Sequence, residues 1–384
     1  MSTPSSPNED RVTVLRIIAR MNIGGPAFLV LGLLAGMNEK KYKQILITGQ
    51  VPGNEREIAL DPSGFEILRI KEMSRKIDFL SDLNSLVQIF RLIRAYKPAI
   101  IDTHTFKAGF LARIATIPFL WKKPIVVHHY HGHLLYGYFN PWGKKIYVLI
   151  ERILARLSNV LVVDSGKVAS ELMKEGIADP DKFKQILPGV NPPIDAVLSP
   201  QTIRDSYRVG FVGRLEPIKQ PLHYLQVVSL MRNEWEKFEW VMIGEGSLAS
   251  KINNYIESEN LNVMQLSFDS DVYSALSEID ILIMTSLNEG TPLIAMEAAF
   301  CGIPTIAYNV GSIDQVVING ETGLICESSP KSVTAALNEM TQDQETYSSF
   351  SSSARLYARA NFSMRRFVLD HEALYSKLLE ESRL

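Results

Sequence analysis

A chain of 384 residues, 46% apolar and 21% charged, has material for two buried cores and is neither disordered nor fibrous in composition. Its two cysteines, Cys301 and Cys326, lack CxxC spacing, which excludes a disulfide framework and a structural zinc site, and no run of about 18 uncharged apolar residues exists to span a bilayer. The net charge of −2 conceals an asymmetry: residues 1–195 carry 26 Lys and Arg against 18 Asp and Glu, a balance of +8, whereas residues 196–384 balance at −10. A basic half points to an anionic partner, a phosphorylated substrate or a membrane surface, and solvated surface charge explains it equally well.

Residues 1–10 are polar, lack an apolar signal core and read as a disordered N-terminus. Strands are predicted at Val12–Ile18, Gln44–Thr48, Phe65–Ile70, Ala99–Thr103, Ile125–His129, Val160–Asp164 and Lys184–Leu187, with helices between most of them. Gly24-Gly25 precedes a helix that starts at Pro26, a place where backbone can approach a ligand closely or simply turn tightly. Ser81–Tyr96 is predicted helical, with Leu83, Leu86, Val87, Phe90 and Ile93 as an apolar stripe edged by Arg94. The helix Pro141–Leu157 carries Trp142, Lys144, Lys145, Arg152 and Arg156 on one side and Ile146, Leu149, Ile150, Ile153 and Leu154 on the other. It can lie on an anionic membrane, or pack the apolar side on a sheet, which is the ordinary arrangement of a crossover helix.

The segment 188–200 holds four prolines without periodicity and reads as a linker. A second series follows, with strands at Tyr207–Val212, Glu239–Ile243, Val263–Phe268, Ile279–Met284, Thr305–Tyr308 and Gly323–Cys326, and a helical tail from Lys331. The expected organisation is a first domain over 11–195, a second over 196–364, and a C-terminal helix, 365–384, that crosses back to the first domain. Alternating strands and helices imply two parallel, doubly wound sheets.

The residues with chemical potential gather at predicted strand ends. Gly213-Arg214 ends the first strand of the second series and Lys219 follows, two cations able to clamp a diphosphate or to sit solvated on the surface. In Thr285–Gly302 a strand, a loop and a helix follow in order, with Thr291 expected as N-cap and Pro292 as first helical residue. Glu289 lies in that loop and Glu297 in the second helical turn, where a carboxylate can take a pair of sugar hydroxyls. In the first series His104 ends a strand, and His129, His131 and His133 alternate so that an extended chain puts them on one face. Three histidines can bind zinc, but no carboxylate is near them in sequence and no HExxH occurs, so no metal is expected. Asp102 is read as pointing to the face opposite His104, which leaves the histidines without a carboxylate to orient them.

Taken together, NIGGPA at 22–27, DTHTFKAG at 102–109, HGH at 131–133, VGRLEPIK at 212–219 and NEGTPLIAMEAAFCGIPTIA at 288–307 resemble the family-4 retaining glycosyltransferases of GT-B fold, in the branch linked to capsule, exopolysaccharide and lipopolysaccharide assembly. The last stretch contains that family's E-x7-E signature as Glu289 and Glu297. The resemblance implies two Rossmann-like domains facing across a cleft, the first (11–195) binding the acceptor and the second (196–364) the donor, and transfer of a sugar from a nucleotide-diphospho-sugar to a glycan or polyprenyl-linked acceptor, with retained anomeric configuration. It assigns Glu289 to the donor sugar's hydroxyls, Glu297 to the ribose, and Arg214 and Lys219 to the diphosphate. Gly213, Gly290, Thr291, Pro292 and Leu293 complete the donor loops. Gly24 and Gly25 approach the donor phosphates, His131 the donor sugar, and His104 the acceptor. No cofactor, metal or nucleic acid is expected, and the protein is expected in the cytoplasm, peripheral on the inner face of its membrane. Four positions depart from the family pattern: Ser267 and Ser312 replace glycines, Gln315 a glutamate and Asn191 an aspartate. A nucleotide-sugar epimerase of the same fold and a catalytically silent scaffold are the alternative readings.

Overall fold

The computed structural model describes residues 11–53, 56–74, 78–132, 141–194, 206–268 and 271–383. The chain divides into two compact units, one of Met1–Gly189 with Met364–Leu384, the other of Val190–Ser363. The expected disordered N-terminus, His133 and residues 195–200 of the proline-rich linker lie outside the described residues.

The first unit is built on a seven-stranded sheet: β1 (Val12–Ile18), β2 (Tyr42–Thr48), β3 (Phe65–Arg69), β4 (Ile100–His104), β5 (Ile125–Tyr130), β6 (Val160–Val163) and β7 (Phe183–Gln185). Every pairing is parallel and the order is β3-β2-β1-β4-β5-β6-β7. These strands read as near-continuous apolar runs because helices cover both faces. Crossovers between parallel strands are α1 (Gly25–Gly36), α2 (Phe79–Tyr96), α3 (Phe106–Ala115), α4 (Pro141–Leu157) and α5 (Gly166–Lys174). Helix α2 begins two residues earlier than the apolar stripe indicates, because Asp78 caps it by accepting from the Ser81 N–H.

In the second unit, β8 (Tyr207–Val212), β9 (Phe238–Ile243), β10 (Val263–Leu266), β11 (Ile281–Met284), β12 (Thr305–Tyr308) and β13 (Gly323–Cys326) form a parallel sheet in the order β10-β9-β8-β11-β12-β13. Around it run α6 (Pro221–Leu230), α7 (Ala249–Ser258), α8 (Val272–Ser277), α9 (Leu293–Phe300), α10 (Pro330–Met340) and α11 (Gln344–Asn361).

The last helix, α12 (Met364–Glu381), belongs to the first unit and packs on α1. Two glycines one turn apart on α1 make room for it. A Cβ at Gly32 would collide with the Met364 side chain and one at Gly36 with Val368. Both sheets reverse their winding once, between β1 and β4 and between β8 and β11. In open α/β sheets the carboxyl edge at such a switch point is where ligands bind.

Candidate active site

At the switch point of the second unit, β8 delivers Gly213 and Arg214, a single 3-10 turn (Pro217–Lys219) delivers Lys219, and β11 delivers Thr285, Ser286 and Glu289. The two loops are stitched together. Thr285 Oγ1 donates to the carbonyls of Lys219 and Gln220 at 3.1 and 2.9 Å, and the Leu287 N–H donates to Ile218 at 2.8 Å. The Lys219 ammonium therefore reaches Glu289 Oε1 at 2.5 Å, and the Ser286 hydroxyl donates to the same oxygen at 2.5 Å. The backbone of Glu289 is held in turn: its carbonyl accepts from the Ser312 N–H at 3.2 Å, and a Cβ at Gly311, whose φ is 55°, would collide with it. Ser312 thus does by its backbone what a glycine there would also do.

Arg214, two residues past the end of β8, is exposed, and its charge contributes to holding the neighbouring Glu216 carboxyl low, after the Ser247 hydrogen bonds. Gly213 leaves open space, since nothing nearer than 3.9 Å would meet a side chain there. Gly290, Thr291, Pro292 and Leu293 lead into α9. The helix starts at Leu293, with Pro292 in the N-cap place and no side-chain cap. The expected cap at Thr291 is therefore corrected: Pro292, with ψ of 115°, is still extended and Thr291 lies one residue too early to cap. Glu297 is one turn into α9. Burial, then the nearby Asp271, pushes its carboxyl up to about 7, which makes it a group that changes charge near neutrality.

The first unit's switch point is a different object. Asp102, on β4, is fully buried and surrounded by Arg16 from β1, His104, His129 from β5 and Tyr375 from α12. Arg16 pairs with its Oδ2, the Tyr375 hydroxyl donates to that oxygen at 2.7 Å, His104 Nε2 lies 3.1 Å from it, and His129 Nε2 is 2.7 Å from Oδ1. Burial works to raise the Asp102 carboxyl, but His129, His104 and Arg16 hold it well below the usual carboxylate range. His104 Nδ1 continues to His131 Nε2 at 2.9 Å, and His131 Nδ1 faces Asp164 at 3.4 Å. The rings of His104 and His129 stack at 4.3 Å, and His371 of α12 stacks on His129 at 5.1 Å. Burial keeps His104 well below the ordinary imidazole value and lowers His371 to about 3.

The expectation that Asp102 points away from His104 is overturned. Residues two apart on a strand share a face, and Asp102 is the carboxylate that orients both His104 and His129. His104, His129 and His131 place ligand atoms within 4.8 Å of one another, the one such group among the described residues. Both nitrogens of His104 are engaged, Nε2 with Asp102 and Nδ1 with His131. Gly24 ends the β1 loop as the N-cap position of α1, with Gly25 its first residue, and a side chain at Gly24 would meet nothing nearer than 3.8 Å.

The structure thus brings Arg214, Lys219, Glu289 and the Gly213 and Gly290–Leu293 loops to one sheet edge, and His104 and His131 to the corresponding edge of the other unit. Sequence reasoning missed Asp102, His129, His371 and Tyr375 as one network. The period-two spacing of Asp102 and His104 was the available signal, whereas nothing in sequence announces the contribution of α12. It also missed Ser286 on Glu289.

A family profile described as Glycosyltransferase Family 4 matches residues 23–193, and one described as Glycosyl transferases group 1 matches residues 199–357. The UDP-Gal:alpha-D-GlcNAc-diphosphoundecaprenol alpha-1,3-galactosyltransferase of Escherichia coli is 29% identical over 67% of this chain and 70% of its own. The capsular polysaccharide biosynthesis glycosyltransferase CapM of Staphylococcus aureus is 24% identical over 83% of this chain and 87% of its own. Among solved structures, the sucrose-phosphate synthase of Thermosynechococcus elongatus superimposes with a TM-score of 0.80 at 17% identity, covering 97% of this chain and all of that one. HepE of Anabaena, solved with UDP and glucose, gives 0.75 at 15% identity, covering 95% of this chain and all of its own. With both profiles matched and two parallel Rossmann-like sheets in place, the chain belongs to the family-4 glycosyltransferases of GT-B fold.

Proposed function

We propose that this glycosyltransferase moves a sugar from a nucleotide-diphospho-sugar to a glycan carried on a polyprenyl diphosphate, in the synthesis of a surface polysaccharide, with retention of anomeric configuration and without a metal ion. The observation that carries the reading is the Lys219–Glu289 pair at the switch point of the second unit, with Arg214 exposed just past the end of β8 on the same sheet edge. A diphosphate entering there exchanges a compensated lysine for one shared with phosphate oxygens. That releases Glu289 Oε1 toward sugar hydroxyls, while Ser286 keeps the carboxylate in place. The two cations stabilise the charge that develops on the departing diphosphate, the task a divalent ion performs in other transferases. The acceptor oxygen bonds to the anomeric carbon as the bond from that carbon to the phosphate oxygen breaks. The same phosphate oxygen takes the acceptor's proton, so no protein base is required on the opposite face. The names of the Escherichia coli and Staphylococcus aureus relatives support the acceptor class and the polysaccharide setting.

The test compares two variants. Glu297→Ala weakens binding of UDP and of the UDP-sugar alike, whereas Glu289→Ala spares UDP and impairs use of the sugar donor. Equal losses of UDP affinity in both would contradict the assignment. Activity that persists in EDTA, with an α-linked donor giving an α-linked product by NMR, completes it. Turnover of the donor with no acceptor present would instead favour an epimerase.

A further inference from the structure

The hydrogen bonds around Asp102 all run toward it. Burial opposes ionisation of Asp102, but His129, His104 and Arg16 hold its carboxyl well below the usual range, so it stands as an acceptor. Burial keeps His104 well below the ordinary imidazole value, so its ring is neutral at neutral pH. With the Nε2–H given to Asp102 Oδ2 at 3.1 Å, His104 Nδ1 carries a lone pair. The 2.9 Å contact between that nitrogen and His131 Nε2 then has a single donor, the His131 N–H. The ring of His131 is thereby fixed, with Nε2 turned to His104 and Nδ1 left for whatever lies beyond.

What lies beyond follows from the register of the sheet. Tyr130 of β5 pairs with Val163 of β6, so the next residues of the two strands, His131 and Asp164, lie side by side past their carboxyl ends. The Asp164 backbone is held on both sides. The Val163 carbonyl accepts from the Ile186 N–H at 3.0 Å, and Ser165 caps α5 by accepting from the Val168 N–H at 3.2 Å. His131 Nδ1 faces Asp164 Oδ2 at 3.4 Å, with 6% and 8% of the two side chains exposed. Among the described residues this nitrogen makes no hydrogen bond, although it is buried. The separation exceeds the roughly 2.7–3.2 Å of an N–H···O bond and leaves room for one oxygen about 2.8 Å from both atoms. Gly132 follows His131 with φ of 92°, and a side chain there would meet nothing within 4 Å among the described residues, so space remains beside the pair.

We propose that His131 Nδ1 and Asp164 form a subsite for one sugar hydroxyl of the transfer reaction, with Asp164 as a substrate-binding residue. A hydroxyl carries a donor and acceptor lone pairs, so it satisfies the carboxylate and the imidazole edge together. A phosphate oxygen brings only acceptors and negative charge, which Asp164 repels. An apolar group would leave both buried atoms unpaired. The subsite rests on the glycosyl-transfer reading, and it is separate from the Lys219–Glu289 pair of the second unit.

The experiment compares wild type with Asp164→Asn, which keeps the shape and removes the charged acceptor. Kinetics are measured with UDP-hexoses, with a polyprenyl-diphosphate-linked glycan, and with monodeoxy analogues of each sugar. Asp164→Asn is expected to lower kcat/KM for one substrate by about 10- to 100-fold, the loss of one hydrogen bond to a charged group, with UDP affinity and melting temperature unchanged. On wild type one monodeoxy analogue loses a similar factor, and on Asp164→Asn that analogue loses nothing further. Whether it is a donor or an acceptor analogue identifies the sugar. Wild-type kinetics in Asp164→Asn overturn the proposal and leave the place to water or to a structural ion pair, as does a lowered melting temperature without a kinetic change. A variant that penalises every deoxy analogue as wild type does overturns it too. Asp164→Ser repeats the comparison if Asp164→Asn does not fold. A wild-type chain that uses no nucleotide-sugar fails the transfer reading itself and takes the subsite with it.

Discussion

The two switch points share a topology and solve their electrostatics in opposite ways. In the first unit one fully buried carboxylate, Asp102, is surrounded by Arg16, His104, His129 and Tyr375. Its partners come from four elements, and burial holds His104 and His371 below the ordinary imidazole value. In the second unit Lys219 and Glu289 pair at a partly exposed edge, and Glu297 is pushed up to about 7. The difference separates two uses of charge at the same place in a fold. A closed network fixes side chains in position and makes their loss expensive in stability. A pair left at the rim can be exchanged for a ligand, and its loss is felt in the reaction.

The largest expected effect tests the closed network. Asp102→Asn leaves the Arg16 guanidinium buried without its counter-charge, and removing one partner of such a pair costs about 3–5 kcal/mol. A urea denaturation midpoint that stays at the wild-type value would show that the network is not closed. The pH dependence has a definite sign. The folded-state values of Asp102, His104 and His371 are all lowered, so the folded chain binds fewer protons than the unfolded one. Stability is therefore lost on acidification, beginning near the ordinary imidazole value of about 6.5 and continuing below the carboxylate value of about 4.

Next is Lys219→Ala, expected to reduce kcat/KM by about 10²–10³ while shifting the denaturation midpoint little. A reversed outcome, stable activity and lost stability, would make the second switch point structural like the first.

Glu297 sharpens the contrast by its opposite sign. Its carboxyl is raised to about 7, so the folded chain holds a proton that the unfolded chain has released above about 4.3. Its contribution to stability is present at low pH and is lost as pH rises through about 7. A carboxylate that accepts ribose hydroxyls must be ionised, so UDP affinity is expected to rise with pH through about 7 and to level off about one unit above it. Calorimetric titrations across about pH 5.5–8.5 (roughly one and a half units either side of neutrality) should show this slope in wild type and a flat, weaker profile in Glu297→Gln.

The smallest effect is Ser286→Ala, which removes one of two donors to Glu289 Oε1. One hydrogen bond to a charged group is worth about 1.5–3 kcal/mol, so donor-sugar use should fall while UDP affinity holds. Restoration by Ser286→Thr would separate the hydrogen bond from packing.

Much of this was legible in sequence because it depends on local pattern. Apolar runs of strand length, bounded by Gly and Pro, located every strand of both sheets to within a few residues. Gly213-Arg214, Lys219, Glu289 and Glu297 fell at strand ends or helix starts, where an α/β sheet presents its ligands. The family of the chain followed from the same stretches. What the sequence could not contain was rotation and long-range partnership. Which side of α4 faces the sheet was decided by Arg113 on another helix and Tyr130 on a strand, 38 and 21 residues from Glu151. Helical periodicity alone had favoured the isoleucines. The partner of Asp102 arrives from Tyr375, 273 residues away, and Lys219 meets Glu289 across 70 residues. Periodicity is a property of neighbours along the chain and can be read there, whereas charge compensation in a buried site depends on which elements the fold brings together.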